Sequence, residues 1–119
     1  MNKRALCVDD DAPIREMLSD LLGEAGFDVT TAADGAEGLK AFKKEKFDLV
    51  VTDFLVPKLD GIRLAEEIRK LDPNAKIVMI TAITHSLAKE LGAAPVDGCF
   101  SKPLHLKSFL ARIKELVPG

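Results

Sequence analysis

Phe47-Asp48-Leu49-Val50-Val51-Thr52-Asp53 runs straight into Phe54-Leu55-Val56-Pro57-Lys58-Leu59-Asp60-Gly61, and this stretch decides the fold. An apolar run ends on a carboxylate, Asp53, and turn chemistry follows. A carboxylate at the end of a buried parallel strand sits where open α/β sheets place their ligands. Three further segments end in the same manner. Ala5-Leu6-Cys7-Val8 leads into Asp9-Asp10-Asp11, Ile77-Val78-Met79-Ile80 into Thr81-Ala82, and Gly98-Cys99-Phe100-Ser101 into Lys102-Pro103. Carboxylates, a hydroxyl and an ammonium thus converge on one edge of one sheet, a constellation suited to a divalent cation and a phosphoryl group.

Between these strands the periodicity turns helical, so strand and helix alternate along the chain, the pattern of a parallel sheet with helices on both faces. After the first strand Ile14, Met17, Leu18, Leu21, Leu22 and Ala25 recur at helical spacing. Pro13 falls in the first turn, where its missing N–H does no harm, and Gly26 closes the helix. Asp28 to Ala32 reads as the second strand. Asp34 caps a second helix with Ala36, Leu39 and Phe42 inward. Gly61 to Lys70 forms a third, with Leu64, Ile68 and Leu71 facing the core, stopped by Asp72-Pro73-Asn74. From Thr84 to Asp97 only Leu87, Ala88 and Leu91 fit a helix before Gly92-Ala93-Ala94-Pro95, so a short fourth helix is expected. Leu106, Phe109, Leu110, Ile113 and Val117 make the last helix amphipathic. The total is five strands and five helices in a single domain over residues 1–119.

A chain of 119 residues buries one core without staples. Hydrophobic content of 47% with 30% charge is ordinary for a globular protein. The net charge of -2 and the absence of a Lys/Arg stripe argue against direct nucleic-acid binding. Cys7 and Cys99 both lie in strand-like segments and read as small buried hydrophobes of a reducing compartment. No signal peptide is visible, and nothing approaches the roughly 18 apolar residues of a membrane span. The expected location is the cytoplasm.

The triple aspartate tests the site most sharply. Asp11 is placed to cap the following helix, but capping accounts for one aspartate of three. Two like charges about 4–5 Å apart repel by about 3–4 kcal/mol at an effective dielectric near 20, so such a cluster beside Asp53 calls for a cation. Oxygen-rich, water-retaining, phosphate-facing sites favour Mg²⁺. Taken singly, Thr81 reads as an ordinary strand-end residue and Lys102 as surface solvation, although Pro103 directs the Lys102 segment along the rim of the sheet. Asp60-Gly61 reads as a turn in which Gly supplies unusual backbone geometry. His85 and His105 lack any ligand spacing and read as surface residues.

Asp9-Asp10, Asp53 with Pro57 and Asp60-Gly61, Thr81-Ala82 and Lys102-Pro103 together resemble the receiver domain of two-component response regulators. The resemblance covers essentially the whole chain. It implies the flavodoxin-like doubly wound fold, a five-stranded parallel sheet of order 2-1-3-4-5, which chemotaxis-type receivers share. It implies that Asp53 is the phospho-acceptor, that Asp10, Asp53 and the backbone carbonyl of Leu55 ligate Mg²⁺, and that Asp9 acts through a bound water. Thr81 would hydrogen-bond a phosphoryl oxygen, Lys102 would pair first with the acceptor and then with the phosphoryl group, and Lys102-Pro103 would be cis. The implied donor is a sensor histidine kinase or a histidine phosphotransfer protein, with a small acyl phosphate able to replace it. The downstream effector and a phosphorylation-dependent dimer stay open. Such a domain catalyses only its own phosphorylation and dephosphorylation and is not an enzyme in the usual sense.

Three departures from the family pattern bear on output. Cys99 stands where many receivers carry the Tyr or Phe that couples phosphorylation to the output face. Phe100 points to the opposite face. Switching is therefore expected to rely on the loop after Thr81 and the short fourth helix. The Thr81–Lys102 interval is a residue shorter than in many relatives and contains Pro95, which remodels that helix. Leu55 and Ile83, apolar at the positions flanking the path of the hydrolytic water, predict a long-lived phospho-Asp53. Two alternatives use the same residues. One is a small Mg²⁺-dependent phosphohydrolase of the haloacid-dehalogenase type, whose Asp-x-Asp nucleophile motif Asp9-Asp10-Asp11 mimics. The other is a docking module independent of phosphorylation.

Overall fold

The computed structural model describes residues 3–54, 58–82 and 95–118. In chain order these form β1 (Lys3–Val8), α1 (Ala12–Glu24), β2 (Phe27–Ala32), α2 (Gly35–Lys44), β3 (Leu49–Asp53), α3 (Gly61–Leu71), β4 (Lys76–Thr81), β5 (Gly98–Ser101) and α4 (Leu106–Leu116). All strand pairs are parallel, in the order β2-β1-β3-β4-β5. The expected doubly wound sheet is therefore the one observed. The expected short helix between Thr84 and Pro95 falls almost wholly outside the described residues, and four helices are seen within them.

The three inner strands are apolar on both faces because each face is roofed by helices. Every residue of β3 is buried, as are Ala5–Val8 of β1 and Ile77–Thr81 of β4. Alternation along each strand then divides the core in two. Leu6, Val8, Val50 and Ile77 pack beneath Phe42 of α2 and Leu64 and Ile68 of α3. Ala5, Cys7, Leu49, Val51, Val78 and Ile80 pack beneath Leu18 and Leu22 of α1 and Phe109 and Ile113 of α4. The rings of Phe42 and Phe47 stack at 6.1 Å in the first layer, and Phe100 meets Phe109 edge-on at 5.4 Å in the second. Phe100 thus does point away from the face that carries Cys99.

Helix ends explain where periodicity overreached. Pro13 occupies the first turn of α1, and Gly26, at φ 101, follows its end as expected. Asp34 caps α2 by accepting from the Glu37 N–H at 2.7 Å. Asp11 occupies the N-cap position of α1, but its side chain makes no capping bond. Instead the Asp11 N–H donates to Asp9 Oδ1 at 2.9 Å, so the carboxylate that organises this turn belongs to Asp9. Leu71, read as inward, is 51% exposed because it is the last residue of α3, and Leu106 is 44% exposed at the start of α4. Cys7 is buried, whereas Cys99 is exposed. β5 is an edge strand whose Gly98 and Phe100 are partly covered while Cys99 and Ser101 are not.

Candidate functional site

Strand order reverses between β1 and β3, and the crevice at that point lies outside the carboxyl ends of the strands. Four elements deliver side chains there. β1 ends before Asp9, which is fully buried, and Asp10, which is exposed. β3 ends on Asp53, 7% exposed, and β4 on Thr81, 2% exposed. β5 hands on to Lys102, held to the neighbouring strand by its own N–H donating to the Thr81 carbonyl at 2.9 Å. The Lys102-Pro103 peptide is cis, as the resemblance implied.

The Lys102 ammonium lies 2.6 Å from Asp53 Oδ2 and 3.2 Å from Asp9 Oδ2, bridging residues from three strand ends. One carboxylate oxygen from each of Asp9, Asp10 and Asp53 can be chosen so that all lie within 4.8 Å of one another. Burial pushes the Asp9 carboxyl above its ordinary range and the Asp53 charge adds to the rise, with the Asp11 N–H and Lys102 offsetting only part of it. Burial alone would lower the Lys102 pKa, but its hydrogen bonds and attraction to Asp53 and Asp9 carry it upward. The Thr81 hydroxyl oxygen is buried and, among the described residues, has no hydrogen-bond partner. A buried polar group in that state costs about 1–3 kcal/mol. Three hard oxygen donors around an ammonium, with a hydroxyl left waiting, fit a hard divalent cation and an incoming oxyanion.

The side chains of Asp9, Asp10, Asp53 and Lys102 therefore meet, and Thr81 ends the strand beside β3. Leu55, expected to lend a carbonyl, lies outside the described residues, as do Ile83, His85 and Pro57. Asp60-Gly61 has a role different from the one expected. Asp60 caps α3, accepting from the Arg63 N–H at 2.9 Å, and Gly61 has no unusual φ. What Gly61 supplies is room: a Cβ there would lie 2.5 Å from the Asp53 carbonyl oxygen. Its N–H donates to the Phe54 carbonyl at 2.8 Å, which draws the start of α3 against the end of β3. Among the described residues of this loop, the one with left-handed geometry is Lys58, at φ 70. Its ammonium lies 3.6 Å from Asp34, and Gly35 lets the Leu59 backbone approach α2. Thr52 also acts here, its hydroxyl donating to the Asp53 carbonyl at 2.9 Å. Beside Lys102 lies an apolar depression of about 430 Å³ formed by Ile14, Met17, Ile80, Pro103 and Leu104.

The family model described as the response regulator receiver domain matches residues 5–114. The chain is 42% identical over 118 residues to the transcriptional regulatory protein CpxR homolog of Haemophilus influenzae, covering 96% of this chain and 50% of that protein. It is 34% identical over 116 residues to the response regulator receiver protein CpdR of Brucella abortus, covering 97% of both. The chain thus spans about half the length of several curated relatives it matches. Among solved structures, the response regulator protein TrrA of Thermotoga maritima in complex with Mg(2+)-BeF aligns with a TM-score of 0.88 at 36% identity, covering 97% of this chain and 99% of that one. The chemotaxis response regulator CheY4 of Vibrio cholerae aligns with a TM-score of 0.89 at 30% identity, covering 98% of this chain and 100% of that one. Among the described residues no helix is long and apolar enough to cross a membrane.

Proposed function

The chain belongs to the response regulator receiver domain family, and from that premise we propose that it accepts a phosphoryl group on Asp53, in the presence of Mg²⁺, from a phosphohistidine of a sensor histidine kinase or histidine phosphotransfer protein. Membership displaces both the haloacid-dehalogenase-type phosphohydrolase and the phosphorylation-independent docking module. A receiver is a signalling domain, not a conventional enzyme, and the covalent chemistry proposed here is confined to its own acceptor. Residues 1–119 act in this reading as one cytoplasmic receiver domain.

One observation carries the proposal: an ammonium 2.6 Å from a buried strand-end carboxylate that two further aspartates surround. Asp10 and Asp53 would hold Mg²⁺ directly, with the Leu55 carbonyl, and Asp9 through water. The ion would supply positive charge to offset the negative charge that phosphoryl transfer leaves on the phosphoryl oxygens. The chain does the rest. An Asp53 carboxylate oxygen attacks phosphorus in line, the O–P bond forms as the P–N bond breaks, and the electron pair leaves with the imidazole. Lys102, already bonded to that carboxylate, passes to a phosphoryl oxygen. The Thr81 hydroxyl, buried and without a partner among the described residues, donates to another. The depression beside Lys102 offers the donor an apolar anchor at the rim of the same site.

The test is intact mass after incubation with a small acyl phosphate and Mg²⁺. The expected result is the gain of a single phosphoryl group, absent from Asp53→Ala. A gain that survives Asp53→Ala would overturn the assignment.

A further inference from the structure

Asp10 is the exposed member of the acidic cluster, and among the described residues its carboxylate has no recorded hydrogen bond or ion pair. Its neighbours are tied down thoroughly. The Asp9 N–H donates to the Ala32 carbonyl of β2 at 3.2 Å, and the Asp9 carboxylate accepts from Asp11 N–H and Lys102. Among the described residues the backbone alone fixes where Asp10 points, and the plane preceding it is the Asp9–Asp10 peptide. The oxygen of that peptide accepts a hydrogen bond from Arg15 Nη1 at 2.5 Å. Arg15 sits in the first turn of α1, its N–H donating to the Asp11 carbonyl at 3.0 Å. Its side chain is half-buried and reaches back across the whole β1–α1 turn.

We propose that Arg15 is a positioning residue for the cation site: by holding the Asp9 carbonyl it sets the Asp9–Asp10 peptide plane and with it the direction of the Asp10 carboxylate. The inference rests on the Mg²⁺ reading above. It also predicts a sign that simple electrostatics does not. A guanidinium near a cation site repels the cation, so its removal as a charge alone would tighten Mg²⁺ binding. Removal of a support that orients a ligand weakens binding, commonly by 10–100-fold at metal sites. An ordinary surface arginine would change neither.

The experiment compares Mg²⁺ dissociation constants by calorimetric titration for the parent protein, Arg15→Met, which keeps the apolar stem without a donor, and Arg15→Lys, which keeps charge and a donor. Thermal melts without Mg²⁺ are run alongside. The expected result is about 10-fold weaker binding in Arg15→Met, a melt shifted little, and recovery of part of the affinity in Arg15→Lys. Unchanged or tighter binding in Arg15→Met would overturn the proposal, as would Arg15→Lys binding no better than Arg15→Met. Should Arg15→Met not fold, Arg15→Gln replaces it, being neutral with an amide that stops short of the Asp9 carbonyl. Binding by Arg15→Gln as tight as the parent's would overturn the inference equally. A parent protein with no saturable Mg²⁺ binding would instead defeat the underlying cation reading, and the inference with it.

Discussion

Gly61→Ala adds one methyl group and should damage both the fold and the acceptor. A Cβ at Gly61 would meet the Asp53 carbonyl oxygen at 2.5 Å, the Phe54 Cα at 2.9 Å and the Asp53 carbonyl carbon at 3.2 Å. All three are backbone atoms, so no side chain can swing aside. Real Cβ atoms essentially never approach closer than 3.0 Å, so the end of β3 and the start of α3 must part by about 0.5 Å, stretching the Gly61–Phe54 hydrogen bond. Overpacking of this kind costs about 1–3 kcal/mol. The unfolded chain's loss of freedom returns about 0.5–1 kcal/mol, as for any glycine replaced at a permitted geometry. The net loss is about 1 kcal/mol and at most about 2.5 kcal/mol, a fall in Tm of about 4 °C and at most about 10 °C for a domain near this size. Asp53 would move relative to Lys102, and misplacement by 1 Å costs about 100-fold in rate, so half that should slow phosphorylation about 10-fold. The control is Gly23→Ala, the same chemical change on the exposed face of α1, where a Cβ would meet nothing within 4 Å. It should raise stability by about 0.5–1 kcal/mol and leave phosphorylation alone. Urea denaturation and initial rates of mass gain from a small acyl phosphate read both effects. Gly61→Ala as stable as Gly23→Ala, with an unchanged rate, would refute the close-approach reasoning.

Other expectations test separate parts of the site. Asp9→Asn should raise stability at neutral pH: a carboxyl whose folded pKa is raised penalises folding when ionised, a penalty fully present above the folded pKa and absent below the ordinary value of 3.8. The gain, read by urea titration, should shrink as pH falls towards 3.8; one that grew on acidification would refute the sign. Mg²⁺ should raise Tm, by about 2.7 kcal/mol of stability at 100 times its dissociation constant, and Asp10→Asn should remove most of that increment without lowering the metal-free Tm. Thiol labelling of the native protein should modify exposed Cys99 alone, because Cys7 is buried and its pKa is pushed by that burial, with Asp9 adding, to about 12. Native labelling of Cys7 faster than global unfolding would contradict the packing. Arg69→Ala removes donors to the Pro73, Ala75 and Pro95 carbonyls and to Asp97, at 2.6 to 3.0 Å; a loss of about 2 kcal/mol is expected after allowing for partial exposure.

The strands that place the site were legible because β1, β3 and β4 are buried on both faces and announce themselves as short apolar runs. Their last residues stand out as the point where such a run meets a polar group. That local signal located Asp9, Asp10, Asp53, Thr81 and Lys102 without any knowledge of distance. Spacing along the chain could not show that Lys102 contacts Asp9, 93 residues away, as well as Asp53. Nor could it show that Asp9, not Asp11, holds the β1–α1 turn, since either aspartate satisfies the same pattern. Gly61 looked like a turn glycine because sequence reports a preference for backbone angle, and the constraint here is the nearness of another backbone. Cys99 misled because it lies on the uncovered face of an edge strand, and Leu71 and Leu106 because they lie at helix ends. Periodicity continues to the end of an element, but the neighbours that would cover it do not. Arg15 gave no signal at all, because a long side chain that bonds a backbone carbonyl leaves no trace in the identity of its partner.

The charges at the site give Asp9 a place beyond that of a candidate metal carboxylate. Asp9, Asp10 and Asp53 offer three potential negative charges to one ammonium. Two of them within 4.8 Å of each other repel by about 3 kcal/mol or more at an effective dielectric near 20, less on the side of Asp10, which water screens. Lys102 relieves the buried pair unequally, at 2.6 Å from Asp53 and 3.2 Å from Asp9. The longer contact is the one that does not involve the acceptor. In the proposed transfer to Asp53, Lys102 would release the carboxylate oxygen it holds and find a phosphoryl oxygen instead. A long, flexible ammonium free to do so would also be free to leave for solvent, at a cost in side-chain entropy each time it returned. Asp9, fully buried and itself fixed by the Asp11 N–H and by β2, would give that ammonium a tether throughout the exchange. Burial, which raises the Asp9 pKa, would then be the cost of a tether that lets Lys102 change partners within the site under the proposed reading.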